Sequence, residues 1–177
     1  MRRRQMVLGL AAVAPLAVSA EGRAAARADV SLTQRVKRLV DLYGAAWNGS
    51  DMTAMAALYM PDVHWVNIVG MHWQGKEEVD YAHRRLFDQS FRGVTSTLEE
   101  IESIVPIPGG AVAVVRWAVA AYRAPSGQMF AASRTRMSLV LTARGDRLLI
   151  AHGANIQIVE PAQRSDPVQQ RRATRAG

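Results

Sequence analysis

The sequence predicts an α+β fold: a cone-shaped barrel in which a curved, mostly antiparallel sheet wraps around three helices. Three observations predict it. Helical periodicity falls in the first half of the chain, interrupted by one short aromatic strand. From residue 95 onward four long runs read as strands. Those runs are joined by Pro108-Gly109-Gly110, Pro125-Ser126-Gly127 and Arg144-Gly145-Asp146, all of which are hairpin chemistry. Helices early and strands late mark the α+β class, and a curved sheet around helices leaves a cone with one open end.

The elements follow in order. Val30 to Trp47 reads as a helix, because Leu32, Val36, Leu39, Val40, Tyr43 and Trp47 recur every three or four residues. Ser31 or Thr33 can cap it and Asn48-Gly49 ends it. Asp51 caps a second, short helix expected to run through Tyr59 and to stop at Pro61. Val63–Ile68 is a strand with Val63, Trp65 and Asn67 on one face and His64, Val66 and Ile68 on the other. Gly70 and Gly75 bracket Met71–Gln74 as a turn or loop. The third helix starts at Lys76, with Glu77, Glu78 and Asp80 suiting its positive N-terminal end. Val79, Ala82, His83, Leu86 and Phe87 form its apolar stripe, which points His83 inward. Strands are then expected over Thr95–Pro106, Ala111–Arg123, Gln128–Ala143 and Arg147–Ile158.

Charge separates the body from the ends. The net charge of +7 divides into +4 for residues 1–28, +2 for 160–177 and only +1 for 29–159. The body carries no basic stripe with interleaved aromatics, so nucleic acid is not an expected partner. The chain has no cysteine, which removes disulfides, thiolate metal sites and a Cys nucleophile. Residues 1–28 read as a signal peptide with cleavage after Ala20 or Ala28, and export to the periplasm or beyond is expected. Arg3-Arg4-Gln5-Met6-Val7 loosely resembles a twin-arginine export signal. The apolar run Met6–Val18 is too short to span a membrane. Residues 29–159 form the folded domain. Residues 160–177, with two prolines, paired Gln and scattered Arg, read as a disordered basic tail.

The central stretch brings Trp65, Asn67, Trp73 and His83 toward one interior, and it reads as a pocket wall. A core built of tryptophans alone has little need of Asn67 and His83. Trp47 joins them from the first helix. Trp117 alternates with Arg116, and Arg116 is the one expected to face outward. On the third long strand Arg134, Arg136, Phe130 and Ser138 share a face. On the fourth, His152 shares a face with Leu148, Ile150, Ala154 and Ile156, and Asn155 lies opposite with Leu149 and Gln157. Alternation does not say which face lines the cone. The expected ligand-binding set is therefore Trp47, Trp65, Asn67, Trp73, His83, Trp117, Arg136 and Asn155.

No GxGxxG, P-loop or GxSxG motif is present, so no cofactor is expected. His64 and His72 lie eight apart on a strand and a turn without a carboxylate at ligand spacing, and no metal is expected. What remains is neutral polar chemistry in an apolar cone. It suits a small hydrophobic ligand held by aromatic walls and a few hydrogen bonds, with a histidine able to act as general base or acid.

The segments AAWNGSDMTAMAALYMPDVHWVN, GKEEVDYAHRRLF, RTRMSLVLT and LLIAHGANIQI resemble the SgcJ/EcaC family of the SnoaL-like, nuclear-transport-factor-two-like superfamily, over about Leu32 to Val159. The resemblance implies a cone-shaped α+β barrel, usually a homodimer through the sheet. The family name carries the word oxidoreductase, for which the sequence shows no redox motif. Ketosteroid isomerases of the superfamily place an Asp general base where this chain has Asn67. An amide does not take a proton from carbon, which leaves His83, with Asn67 orienting a substrate oxygen, as the catalytic candidate. The expected functions are isomerisation, cyclisation or dehydration of a hydrophobic carbonyl or polycyclic compound, or else non-catalytic binding or dimerisation in the cell envelope.

Overall fold

In the computed structural model, backbone is described for residues 20–176 and side chains for 32–175. Residues 1–19 of the expected signal peptide lie outside that range. Helix α1 runs over Ala20–Asn48, starting ten residues before the expected Val30. It buries Val36, Leu39, Val40, Tyr43 and Ala46 along one stripe. Two side chains anchor its end to the sheet. The Trp47 indole N–H donates to the Val94 carbonyl at 2.8 Å. The Asn48 amide donates to the Ser96 carbonyl at 2.9 Å and accepts from the Ser96 N–H at 2.8 Å, as a strand would.

Helix α2, Met52–Ala56, is capped as expected by Asp51, whose carboxylate accepts from the Ala54 N–H at 2.9 Å. It ends earlier than expected. Tyr59 already belongs to strand β1, Tyr59–Val66, and Pro61 lies within that strand instead of ending a helix. The reason is a register shift. Tyr59 faces Ile150 and His64 faces His152, so the segment around Pro61 is bulged and needs no donor there. The expected loop Met71–Gln74 contains a short edge strand, β2, His72–Gln74, paired antiparallel with β1. Helix α3, Gly75–Leu86, follows at once, and the Glu78 carboxylate reaches back to the Gln74 N–H at 2.7 Å. A single wide π turn, Phe87–Phe91, continues it.

The strands β3 (Ser96–Ile107), β4 (Gly110–Val119), β7 (Ser133–Arg144) and β8 (Arg147–Gln157) make an antiparallel meander. β1 adds to β8 in parallel, giving a six-stranded order β2-β1-β8-β7-β4-β3. The second and third long strands are each interrupted. β5 (Tyr122–Arg123) and β6 (Met129–Phe130) pair as a small separate ribbon beyond β4 and β7. Phe130 therefore stacks on Tyr122, with ring centroids 5.1 Å apart, and does not continue the Arg134/Arg136 face as expected.

The curved sheet closes over α1, α2 and α3. Ala111, Ala113, Val115 and Trp117 of β4, Met137, Leu139 and Leu141 of β7, and Leu148 and Ile150 of β8 face the helices. Two glycines let indole rings pack directly on the backbone. A Cβ on Gly153 would stand 2.3 Å from the Trp65 ring, and one on Gly44 would stand 3.0 Å from the Trp117 ring. Both indoles need bare backbone beside them. The stretch expected to be a disordered tail instead carries helices α4 (Glu160–Gln163) and α5 (Pro167–Ala176), and its side chains from 160 to 175 are exposed save for Gln163 and Asp166. Among the described residues no helix is long and apolar enough to cross a membrane.

Candidate functional site

A cavity opens at one end of the cone, where β1 turns into β2, β4 ends and β7 begins. Its floor and walls come from Tyr43 and Trp47 of α1, Trp65 and Trp73 of the β1–β2 hairpin, His83 of α3, Phe87 just after it, and Asn155 of β8. Asn67, Ile68, Leu86, Phe91, Val119, Tyr122, Ser133 and Thr135 complete it. The free volume is about 70 Å³. Pockets for drug-sized ligands span about 300–1,000 Å³, so the cavity as it stands admits a molecule of a few heavy atoms and not a polycyclic one.

His83 is 6% exposed and is enclosed by rings. The Trp65 and Trp73 indoles meet it edge-on, each with centroids at 5.4 Å, and the Tyr59 ring lies nearly parallel to it at 6.0 Å. Its Nδ1 is 2.8 Å from the Val79 carbonyl oxygen. A carbonyl only accepts, so Nδ1 carries the proton and Nε2 of the neutral ring is left as a lone-pair acceptor. Among the described residues no group hydrogen-bonds to Nε2. Burial pulls the His83 pKa below its ordinary value of 6.5, against the smaller opposing effects of the Val79 hydrogen bond and the Asp80 charge. At neutral pH this is a neutral imidazole with a free basic nitrogen in an apolar cage.

Asn67 lies at the rim, in the hairpin turn. Its side-chain oxygen accepts from the Val69 N–H at 3.1 Å and the Met71 N–H at 2.8 Å. Two donors identify that atom as the oxygen, so the oxygen belongs to the turn and only the NH₂ end is available to a ligand. Asn155 presents the opposite case. Its Oδ1 is buried with no partner among the described residues, an arrangement that costs about 1–3 kcal/mol unless a ligand or water supplies a donor.

The expected set is thus brought together only in part. Trp47, Trp65, Asn67, Trp73, His83 and Asn155 line the cavity. Trp117 lies deeper, against Gly44 and tilted to Tyr43 at 6.1 Å, and packs in the core. Arg136 is on the outer face of β7. Its guanidinium pairs with Glu102 of β3, whose carboxyl is held below its usual range first by Arg136 and then by Arg116. It cannot contact a ligand in the cone. Arg116 is also on the outer face, paired with Glu99, Glu100 and Glu102.

His152 also lies outward, because β8 is bulged. Val140 faces His152 while Leu141 faces Ile150, so Ala151 is an extra residue. Before the bulge Leu148 and Ile150 point inward; after it Gly153 and Asn155 do. The expected grouping of His152 with Leu148 and Ile150 is therefore corrected. Ser133, Thr135, Phe91 and Tyr122 were missed as lining residues. The only available signal was that Ser133 and Thr135 alternate with Arg134 and Arg136, two charges that prefer solvent.

The sequence profile of the SnoaL-like domain family matches residues 36–149, more than half of the chain. The chain belongs to the SnoaL-like domain family. Among solved structures, this SnoaL-like chain is similar to an uncharacterized protein with a cystatin-like fold from Caulobacter vibrioides, at 32% identity and TM-score 0.75, covering 78% of this chain and 98% of that one. A ketosteroid isomerase-like protein from Erwinia carotovora atroseptica shares the fold at 19% identity and TM-score 0.58, over 71% and 95% of the two chains. An NTF2-like protein from Novosphingobium aromaticivorans does so at 15% identity and TM-score 0.62, over 80% and 92%. No curated protein matches the chain.

Proposed function

We propose that this SnoaL-like chain takes a small uncharged carbonyl compound into the cone and moves a proton on it without a cofactor, as an isomerase or dehydratase does. The observation that carries this reading is the free Nε2 of a neutral, buried His83 in the lining of a cavity that also holds the unpartnered Oδ1 of Asn155. In this reading His83 Nε2 removes a proton next to the carbonyl, and the Asn67 NH₂ donates to the oxygen as charge develops there. Asn155 takes a hydroxyl or second polar group of the ligand. The cavity volume favours an open-chain or single-ring compound, and a polycyclic one requires Ile68, Phe91 and Tyr122 to move aside.

The test starts with a native mass spectrum of the protein from its own source, to find a co-purifying ligand. Turnover of that compound is then compared between wild type and His83→Gln. Proton transfer by a placed side chain contributes about 10²–10⁴-fold, and a loss of that size with little change in affinity is expected. Equal turnover in the two proteins removes His83 from the chemistry.

A second reading has its own observation. Asn67 stands where related isomerases carry an Asp base, and its oxygen is already spent on the turn. A ligand that binds but is never converted, with His83→Gln and Asn67→Ala both losing affinity, favours a binding protein. Three further expectations belong here. Membership of the SgcJ/EcaC subgroup rests on the four segments quoted above. Export rests on residues 1–20, and a mature native chain beginning near Glu21 or Asp29 supports it. Dimerisation through the outer face of the sheet, where Ile156 is 62% exposed, is checked by light scattering at micromolar concentration.

A further inference from the structure

We propose that His64 and His72 form a surface site for a divalent transition-metal ion, Cu²⁺, Ni²⁺ or Zn²⁺, on the outer side of the β1–β2 hairpin. The register places His64 opposite Gln74 and Val66 opposite His72, so the two imidazoles are diagonal neighbours on the face turned away from Trp65 and Trp73. His64 Nδ1 and His72 Nε2 stand 3.1 Å apart, and both residues are exposed. The ring centroids are 5.3 Å apart, with planes inclined by 31°.

That spacing suits an ion as well as a proton. Imidazole nitrogens bind Zn²⁺ at about 2.0–2.1 Å, and two of them 3.1 Å apart then subtend roughly 95–102° at the metal, between octahedral and tetrahedral angles. Without metal, one ring must donate N–H to the lone pair of the other. With metal, modest rotation about each χ2, a soft torsion, turns both lone pairs onto the shared ion. Among the described residues no group of three or more His, Cys, Asp or Glu is placed to hold a metal, so water completes the shell. Nitrogen ligands and open positions favour Cu²⁺ over Ni²⁺ and Zn²⁺. The backbone holds the pair ready, because both histidines sit on paired strands and not on loops. A bound ion would also fasten the three-residue edge strand β2 to β1, directly behind the indoles that flank His83.

The experiment is a calorimetric titration of the full chain, without an affinity tag, with CuCl₂, NiCl₂ and ZnCl₂. One ion per chain is expected, with Cu²⁺ the tightest. Loss of even an outer-shell partner of a metal costs about 10–100-fold, so His64→Gln and His72→Gln are each expected to weaken binding by at least about tenfold. His152 is the register partner of His64 on β8 and shares its outer face, but among the described residues no third such side chain is placed to join the pair on a metal, so His152→Gln is expected to bind as wild type does. Unchanged affinity in His64→Gln and His72→Gln overturns the proposal, and so does an equal loss in His152→Gln. Electron paramagnetic resonance of the Cu²⁺ complex gives a second measurement that needs no variant. Coupling to two imidazole nitrogens supports the site, and coupling to one or none overturns it.

Discussion

The two faces of strand β7 carry polar groups with opposite fates. On its outer face Arg134 and Arg136 are paired with Glu99 and Glu102, and Arg116 on the neighbouring strand binds three glutamates. On the inner side, one strand away, the buried Asn155 Oδ1 has no partner among the described residues. Solvated charges satisfy one another at little cost, whereas an idle buried polar group is destabilising and persists where a ligand can complete it. The comparison teaches that the charged residues pair across the sheet's outer surface, and that the unpaired neutral group lies inside, in the cavity lining.

The largest expected effect is catalytic: His83→Gln lowers turnover of the native substrate by about 10²–10⁴-fold, read from single-turnover rates. The next is structural. Trp65 is 2% exposed at the centre of the aromatic cluster, and Trp65→Ala is expected to destabilise the fold by about 3–5 kcal/mol in urea unfolding. Gly153→Ala drives a methyl into that same indole and is expected to cost about 1–3 kcal/mol. Because the two sites touch, the double variant should be less destabilised than the sum, and strict additivity would show that the close approach is relieved elsewhere.

Acid sharpens the comparison from another side. His83 has a folded pKa below its ordinary 6.5, so the unfolded chain binds the proton more readily. Its contribution is therefore complete above about 6.5 and declines as pH falls below that value toward the lower folded pKa. Unfolding free energy measured between neutral and mildly acidic pH should fall in wild type, and that component should vanish in His83→Gln. The smallest effect is expected on the outer face. Arg136→Ala breaks a half-exposed pair with Glu102, should cost less than about 1 kcal/mol and should leave ligand affinity unchanged. A marked loss of affinity would return Arg136 to the site.

Much of this protein was decided by local pattern. The stripe from Val79 to Phe87 is enough to turn His83 inward, because 3.6-residue periodicity leaves one inward face. Alternation places Trp65 and Asn67 together, and the hairpin glycines mark the meander. Other features arise only between segments. The bulge at Ala151 shifts β8 by one residue, and with a period of two a single residue exchanges the faces, so His152 goes out and Asn155 comes in. The parallel pairing of β1 with β8 recruits Tyr59 and Pro61 to a strand that their own neighbours read as a helix end. The commitment of the Asn67 oxygen to its turn and the size of the cavity are sums over many elements. Sequence determined which residues could meet in the cone; register, bulges and packing decided which of them do, because those depend on partners distant in the chain.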